Sequence, residues 1–214
     1  THGNEGFSIP VVKKLKSRFK FTWKIANPNA LAKNQRYVDT DLNRSGPGNP
    51  QSKLYEERRA FQLIQYARQF NTVIDIHGTI SNTGVFIILS DPNWQNIELA
   101  KKINVRNIVL WPSLKPTGPM TQFISNSLEI ECGPKNKPAT VKKLEQVLGQ
   151  YLSGKPRVIT PRWFIVTGKL KKNPGLKLVD FKPTVYKNET FYPLMVGQYT
   201  GLICYKMTKL SDTL

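Results

Sequence analysis

The run Thr72-Val73-Ile74-Asp75-Ile76 indicates how this chain folds. Its apolar, β-branched residues are typical of a buried strand, and His77 follows where that strand should end. The run Ser127-Leu128-Glu129-Ile130-Glu131-Cys132 alternates like a second strand and places Glu129 and Glu131 on one face. A carboxylate in an apolar strand is costly to bury without a function. Both strands are therefore candidate carriers of functional side chains.

Further strands and helices alternate along the first part of the chain. Helices are predicted from a Ser52 cap to about Phe70, from Asp91-Pro92 with the aspartate as N-cap, and from Thr140 to Leu152. Strands are predicted at residues 21–25, 73–76, 85–89, 105–110 and 128–132. This alternation predicts an α/β layer with a largely parallel sheet, whose sites gather at strand ends.

The pattern changes after Gly154-Lys155-Pro156. Short β-like runs separated by Gly and Pro follow, without helical periodicity, at residues 163–166, 176–181, 194–196 and 202–205. We therefore expect two domains. A main domain covers residues 1–153, and a small β-rich domain at 154–214 packs over the site.

The composition is strongly basic, with 32 Lys and Arg against 14 Asp and Glu and a formal charge of +18. Such a charge suits an anionic partner, which leaves a nucleic acid, a membrane surface or a small dicarboxylate, while a merely solvated basic surface is equally consistent. Cys132 and Cys204 are far apart, as expected of a reduced, cytoplasmic protein. No run approaches the ~20 apolar residues that span a bilayer, so membrane insertion is not expected.

The two histidines of the chain, His2 and His77, both lie in segments that read as half of a zinc site. Glu5 follows His2 by three positions, so one turn lets both side chains converge on an ion. Two His and one Glu are the ligands of hydrolytic zinc enzymes that keep a fourth position open. This spacing also arises by chance, and His77 could simply form hydrogen bonds in a core.

Four blocks of sequence, taken in order, resemble the aspartoacylase and succinylglutamate desuccinylase family, closer to the aspartoacylase branch. They are His2-Gly3-Asn4-Glu5, the run from Arg36 to Arg44, Asp75-Ile76-His77-Gly78-Thr79 and Ile130-Glu131-Cys132-Gly133. The family comprises zinc-dependent N-acyl amino acid amidohydrolases. The resemblance implies a three-layer, zinc-carboxypeptidase-like mixed sheet. In that family a strand precedes the first block, so a chain that begins at Thr1 is expected to be a fragment.

The resemblance also implies roles for single residues. His2, Glu5 and His77 would bind one zinc ion per chain. Glu131 would act as general base and then general acid, taking a proton from water and giving it to the leaving amine. Arg36 would polarise the scissile carbonyl.

Four further residues are implied to contact the substrate. Asn43 and Arg44 match the pair that holds its carboxylate, for which the planar guanidinium is suited. Tyr192, with Glu189 close by, matches a tyrosine that contacts the same carboxylate. Glu129 stays open as the alternative to Glu131, or as a structural partner for a lysine.

The predicted function is that of a cytoplasmic zinc hydrolase that cleaves a small anionic N-acyl amino acid, such as N-acetylaspartate to acetate and aspartate. Metallocarboxypeptidase or succinylglutamate desuccinylase-like activity is the alternative within this chemistry. A basic nucleic-acid-binding domain is the alternative of another class, but no recognised motif accompanies the tryptophans, so nucleic acid is not expected. A homo-oligomer is left open.

The predicted substrate selectivity follows from one difference between this sequence and those of the family. Aspartoacylases carry an arginine shortly before the catalytic glutamate that holds the aspartate side-chain carboxylate, whereas residues Thr117–Gln122 contain none. We therefore expect weak selectivity for acyl-aspartate unless Lys115 replaces the missing charge. A lysine is a point charge and holds a carboxylate less specifically.

Overall fold

The computed structural model describes residues 1–113, 115–171 and 175–211, and the strands of this part form one sheet. The strands are β1 Val73–Gly78, β2 Gly84–Leu89, β3 Asn107–Leu110, β4 Ser127–Gly133, β5 Arg162–Leu170, β6 Thr184–Tyr186, β7 Glu189–Leu194 and β8 Cys204–Lys209. The helices are α1 Ile9–Lys16, α2 Pro28–Ala32, α3 Tyr55–Ala67, α4 Trp94–Lys102 and α5 Pro138–Leu152. Short 3-10 helices cover Gly3–Ser8, Leu42–Arg44 and Met120–Phe123.

The strand order is β1-β4-β2-β3-β5-β8-β7-β6. β1 runs parallel to β4, and β2, β3 and β5 run parallel to one another, whereas β2 and β4 are antiparallel. The strands from β5 through β8 and β7 to β6 are antiparallel. The mixed α/β sheet that the family resemblance implies is therefore confirmed. The largely parallel sheet predicted from the alternation of strands and helices is wrong, since four of the seven strand pairings in the described residues are antiparallel.

The sheet continues across the predicted domain boundary. β5, which follows residue 153, pairs in parallel with β3 from Asn107 opposite Arg162 to Leu110 opposite Ile165. Residues 172–174 and 212–214 of the expected second domain lie outside the described residues. The division into two domains stays a prediction.

Side-chain alternation along the strands creates three layers. Val85, Ile87 and Leu89 of β2 pack with α1, α4 and α5, whereas Phe86 and Ile88 pack with residues that follow β5. On that second face of the sheet, Val73 of β1 contacts a cluster that joins α3 to the two 3-10 helices 42–44 and 120–123. The strands are thus covered on both sides, as their continuous apolar runs predict.

Several local predictions were wrong. Residues 21–25 form no strand, because a strand needs a hydrogen-bonded neighbour and the described residues provide none there. α3 begins at Tyr55, three residues after Ser52, whose hydroxyl accepts a bond from the Leu54 N–H. The N-cap of α4 is Asn93, and Asp91 instead accepts a bond from the Asn93 side chain. Asp91 and Asn93 are both good N-cap residues close in sequence, and residue preference alone does not rank them.

The C-terminal runs also differ from expectation. Residues 176–181 form no strand, and the run at 194–196 contributes only the last residue of β7. The β6–β7 hairpin lies where no strand was predicted. None of the helices in the described ranges has the length and apolar character that crossing a membrane requires.

Glu56 organises the polar loop between Arg36 and Arg44. It lies in the first turn of α3, fully buried, and its carboxylate accepts bonds from the backbone N–H groups of Val38, Asp39 and Thr40 at 2.6, 2.9 and 3.1 Å. The Asn27 side chain donates a fourth bond at 2.9 Å. Burial opposes ionisation, but these donors outweigh it and lower the pKa of Glu56.

We expect Glu56→Gln to lower the free energy of unfolding by about 2 kcal/mol, because an amide replaces one charged acceptor with a donor that faces backbone N–H groups. The lowered pKa means that the stabilisation is present above the ordinary glutamate range and is lost as the pH falls below about 4. Urea unfolding at pH 7 and pH 3.5 measures both effects. Glu57→Gln, on the same turn, is the control. Equal stability of the two variants at pH 7 would contradict this account.

Candidate active site

The parallel pairing of β1 with β4 brings the two functional strands side by side. His77 lies opposite Glu131 in register, and Asp75 lies opposite Glu129. Residues two apart on a strand share a face, so all four side chains point to the same side of the sheet. That side faces the loop organised by Glu56.

His2, Glu5 and His77 converge beside these strand ends, and all three are buried. One ligand atom from each lies within 4.8 Å of the others. His2 Nδ1 is 2.9 Å from one Glu5 oxygen, and His77 Nδ1 is 3.6 Å from the other. The 3-10 helix that carries Glu5 approaches α2 closely, since a Cβ on Gly3 would lie 2.1 Å from the carbonyl carbon of Ala30. Only glycine fits there.

Each histidine is oriented by a carboxylate on its other nitrogen. His2 Nε2 is 3.0 Å from Asp41 and His77 Nε2 is 2.9 Å from Asp75. Both Nδ1 atoms therefore face Glu5. His77 Nδ1 is buried and has no hydrogen-bond partner among the described residues. An orphaned imidazole nitrogen, a carboxylate and carboxylate-backed histidines fit a bound divalent cation.

The carboxylates of Asp41 and Asp75 are ionised in this network. Burial opposes their charge, but His2 and Arg36 lower the pKa of Asp41, and His77 with the Thr1 hydroxyl lowers that of Asp75. Asp41 binds Arg36 and also holds His2. Asp75 was missed as a site residue, although its position two residues before His77 on a strand was the available signal.

Glu129 and Glu131 have different surroundings. Glu129 accepts bonds from Ser90, Thr121 and Asn43 at 2.6, 2.8 and 3.3 Å. Glu131 keeps one buried oxygen without any partner in the described ranges. Burial raises the pKa of Glu131 to about 8, and the charges of Glu5 and Glu129 act in the same direction. The carboxylate of Glu129 is occupied as a hydrogen-bond acceptor, whereas the unpartnered oxygen of Glu131 is available for proton transfer.

A cavity of about 240 Å³ opens onto this group. The predicted residues that line it are His2, Glu5, Arg36, Asn43, Arg44 and Glu131. A larger cavity, of about 520 Å³, runs along β1 beside residues 21–27, with mostly apolar side chains and without Arg36 or Glu131. Both cavities reach His2 and Glu5, and the smaller one adds Arg36 and Glu131.

Arg36 is held rigidly towards the three candidate ligands. Its Nε and Nη2 donate to one Asp41 oxygen at 3.0 and 2.9 Å, and its Nη1 lies 3.8 Å from Glu5. Arg44 is exposed at the cavity and donates to the Asn43 carbonyl oxygen at 2.7 Å. The loop therefore presents its cations to the cavity, as its sequence predicts.

Glu189 and Tyr192 are not brought to the cavity. Glu189 forms an ion pair with Lys206 at 2.7 Å, and the Tyr192 ring packs on Phe164 with centroids 5.2 Å apart. Their role as substrate contacts stays a prediction. The turn after β7 places Tyr199 on the cavity wall.

Gln198 ties that turn to the segment that follows His77. Its side-chain oxygen accepts bonds from the Thr79 hydroxyl at 2.5 Å and the Ile80 N–H at 2.8 Å. The Ser81 hydroxyl adds a bond to the Val196 carbonyl oxygen at 2.7 Å. The local sequence does not predict this link, because its partners are more than one hundred residues apart.

We expect Gln198→Ala to accelerate amide hydrogen exchange at Ile80 at least about tenfold, because its N–H loses the acceptor, and to lower the free energy of unfolding by ~1 kcal/mol. NMR or mass spectrometry measures the rate of amide hydrogen exchange at Ile80. Gln65→Ala, on α3, serves as control. Unchanged exchange at Ile80 would show that the link is dispensable.

Comparison with known proteins defines the class that the fold and site indicate. Residues 1–148 match the family described as the succinylglutamate desuccinylase/aspartoacylase catalytic domain. The chain belongs to this family, which confirms the resemblance found in its sequence.

The names of similar proteins include two activities, aspartoacylase and N-acyl-aromatic amino acid amidohydrolase. A probable aspartoacylase of Trichodesmium erythraeum (strain IMS101) is 33% identical, over 63% of this chain and 53% of that protein. An N-acyl-aromatic-L-amino acid amidohydrolase (carboxylate-forming) B of Danio rerio is 27% identical, over 63% and 52%. The chain thus spans about half the length of these relatives.

Solved structures share the fold. Murine aminoacylase 3 superposes with a TM-score of 0.79 at 18% identity, covering 98% of this chain and 92% of that one. Succinylglutamate desuccinylase from Chromobacterium violaceum gives 0.69 at 16% identity, covering 98% and 82%. At these identities the likeness establishes the fold, and the chemistry has to be argued from the site.

Proposed function

We propose that this chain is a zinc-dependent amidohydrolase that cleaves an N-acyl amino acid into a carboxylate and a free amino acid. The observation that carries the proposal is the convergence of His2, Glu5 and His77 next to Glu131, which has an unpartnered buried oxygen. Family membership and the names of the relatives support it. A cavity of about 240 Å³ suits a small substrate.

The candidate ligands suit zinc, with two imidazole nitrogens and one carboxylate, each histidine backed by an aspartate. A zinc ion held there supplies Lewis acidity, which polarises a carbonyl and eases the deprotonation of water. One ion per chain is the expected stoichiometry, since the two histidines of the chain both belong to this group.

Glu131 then handles the proton. It accepts one from the water that attacks the amide carbonyl and delivers it to the leaving nitrogen, so that the C–N bond breaks and the products are an acid and an amine. A carboxylate without hydrogen-bond donors is a stronger base than one saturated with them, such as Glu129.

Arg36 stabilises the charge that develops on the carbonyl oxygen. Asp41 fixes its guanidinium by two bonds, so no reorganisation is required during the reaction. Such a preorganised donor contributes about 3 kcal/mol to the transition state. Asn43 and Arg44, on the same loop, bind the α-carboxylate of the substrate.

Succinylglutamate desuccinylase-like activity is the second candidate, because the description of the matched family names it. Release of succinate from N-succinylglutamate, compared with release of acetate from N-acetylaspartate, separates the two. A cytoplasmic location is part of the proposal and is consistent with two buried free cysteines.

We expect purified protein to contain one zinc ion per chain by elemental analysis. His77→Ala should reduce this content below about a tenth, because two ligands seldom retain zinc. Asn188→Ala, at an exposed turn, should leave the content unchanged. Full turnover by metal-free wild-type protein would rule out the proposed chemistry.

We expect Glu131→Gln to keep its zinc and its fold while kcat falls at least about 100-fold, because the amide cannot transfer a proton. Glu129→Gln should mainly lower the free energy of unfolding, since it loses one of its accepted bonds. Steady-state kinetics and urea unfolding of both variants test this difference. An active Glu131→Gln beside an inactive, stable Glu129→Gln would assign the proton transfer to Glu129.

A further inference from the structure

The turn at residues 195–199, which follows β7, forms part of the cavity wall. Its side chains of Met195, Gln198 and Tyr199 line the cavity. Gln198 also accepts bonds from the segment that follows His77. The position of this turn therefore affects both the shape of the cavity and a segment next to a candidate zinc ligand.

Val196 of this turn is bound by a side chain at each of its two backbone polar groups. Its N–H donates to an oxygen of Asp180 at 3.1 Å, and its carbonyl oxygen accepts a bond from the Ser81 hydroxyl at 2.7 Å. Ser81 belongs to the segment after His77, whereas Asp180 precedes β6. The turn is thus clamped between two parts of the chain that are far apart in sequence.

Asp180 is itself held in place by its neighbour Phe181. The Phe181 N–H donates to the Pro193 carbonyl oxygen at 2.9 Å, beside the end of β7. The buried Phe181 ring packs on Phe86 and Phe164, with centroids 5.2 and 5.4 Å apart. The core of the sheet therefore provides a rigid base for the Asp180 carboxylate.

Two bulky residues beside this contact have a left-handed backbone conformation. The φ angle is 61° at Phe181 and 57° at Met195. Such angles are costly for a residue with a large side chain and persist only where the surrounding contacts enforce them. The bond between Asp180 and Val196 joins the two strained segments, so it is one of the contacts that hold both.

The Asp180 carboxylate is partly buried, and no cation of the described residues lies within salt-bridge distance of it. Burial raises the pKa of Asp180 to about 6, although the N–H groups of Val196 and Met195 oppose this rise. A buried carboxylate without a cation costs stability, and an amide oxygen could accept the same bond without the charge. Asparagine at this position therefore separates the hydrogen bond from the charge.

We propose that Asp180 is a positioning residue that fixes the 195–199 turn, and with it Gln198 and Tyr199, against the cavity. Asp180 does not line the cavity itself, so it acts on substrate binding through the turn. It also lies outside residues 1–148, the part that matches the family. The inference deepens the proposed function and rests on it, because the cavity has to be the substrate site.

Steady-state kinetics tests this role on N-acetyl-L-aspartate, N-acetyl-L-tyrosine and N-succinyl-L-glutamate, with the compound that wild type hydrolyses fastest. Asp180→Ala should raise KM at least about tenfold and change kcat less than about threefold, because the turn shifts while Glu131 and the zinc content stay as they are. Asp180→Asn keeps an oxygen for the Val196 N–H, and its KM should lie within about threefold of wild type.

Asn104→Ala is the matched control. The Asn104 side-chain oxygen also accepts bonds from two backbone N–H groups, those of Val158 and Ile159, but does not line the cavity. This variant should lose stability as Asp180→Ala does while its KM stays within about threefold of wild type. An unchanged KM in Asp180→Ala, or an Asp180→Asn variant as impaired as Asp180→Ala, would overturn the proposal.

Amide hydrogen exchange separates this inference from the proposed function. If wild type hydrolyses none of the three compounds, the proposed function fails, and exchange at Val196 and Ile80 still decides the role of Asp180. A protected Val196 N–H in wild type, with exchange at Ile80 accelerated at least about fivefold in Asp180→Ala and unchanged in Asn104→Ala, supports it. Free exchange at Val196 in wild type, or unchanged exchange at Ile80 in Asp180→Ala, refutes it. If Asp180→Ala does not fold, Asp180→Ser, whose hydroxyl is too short to reach Val196, is measured in its place.

Discussion

The site depends on one constraint, the parallel pairing of β1 with β4 in a register that sets His77 opposite Glu131. A shift of one residue would turn one of these side chains to the helix-covered face. Apolar residues on that face enforce the register, since Ile76 and Ile130 pack into the core with α5. Hydrophobic burial on one side of the sheet therefore aligns the polar groups on the other.

Polar groups on that face are buried, and nearly all are compensated. Asp41 links His2 to Arg36, Asp75 holds His77, and Glu56 binds the backbone of the loop between them. Burying such charges is tolerable only when each has donors or opposite charges. One oxygen of Glu131, the Nδ1 atom of His77 and the Oδ1 atom of Asn43 are the exceptions among the described residues of this network. Unsatisfied groups next to a satisfied network mark the place where a ligand and a reacting proton belong.

The residues after β5 complete the cavity. β5 extends the sheet beside β3, and the turn after β7 brings Gln198 and Tyr199 to the segment that follows His77. Lys169 reaches the same opening from β5. The group around His77 and Glu131 comes from the first part of the chain, and the last part adds Lys169, Gln198, Tyr199 and Tyr205 to the cavity wall.

The sequence by itself determined the mixed α/β class, the strands that end near His77 and Glu131, and the set of candidate zinc ligands, because strand periodicity and short motifs are local properties. It did not determine that residues 21–25 lack a strand partner, or that Gln198 and Lys169 reach the cavity. It also named Tyr192 as a substrate contact, whereas the tyrosines that line the cavity in the structure are Tyr199 and Tyr205. Those features depend on hydrogen bonds and packing between segments far apart in the chain, and only the tertiary structure decides which of many similar side chains meet.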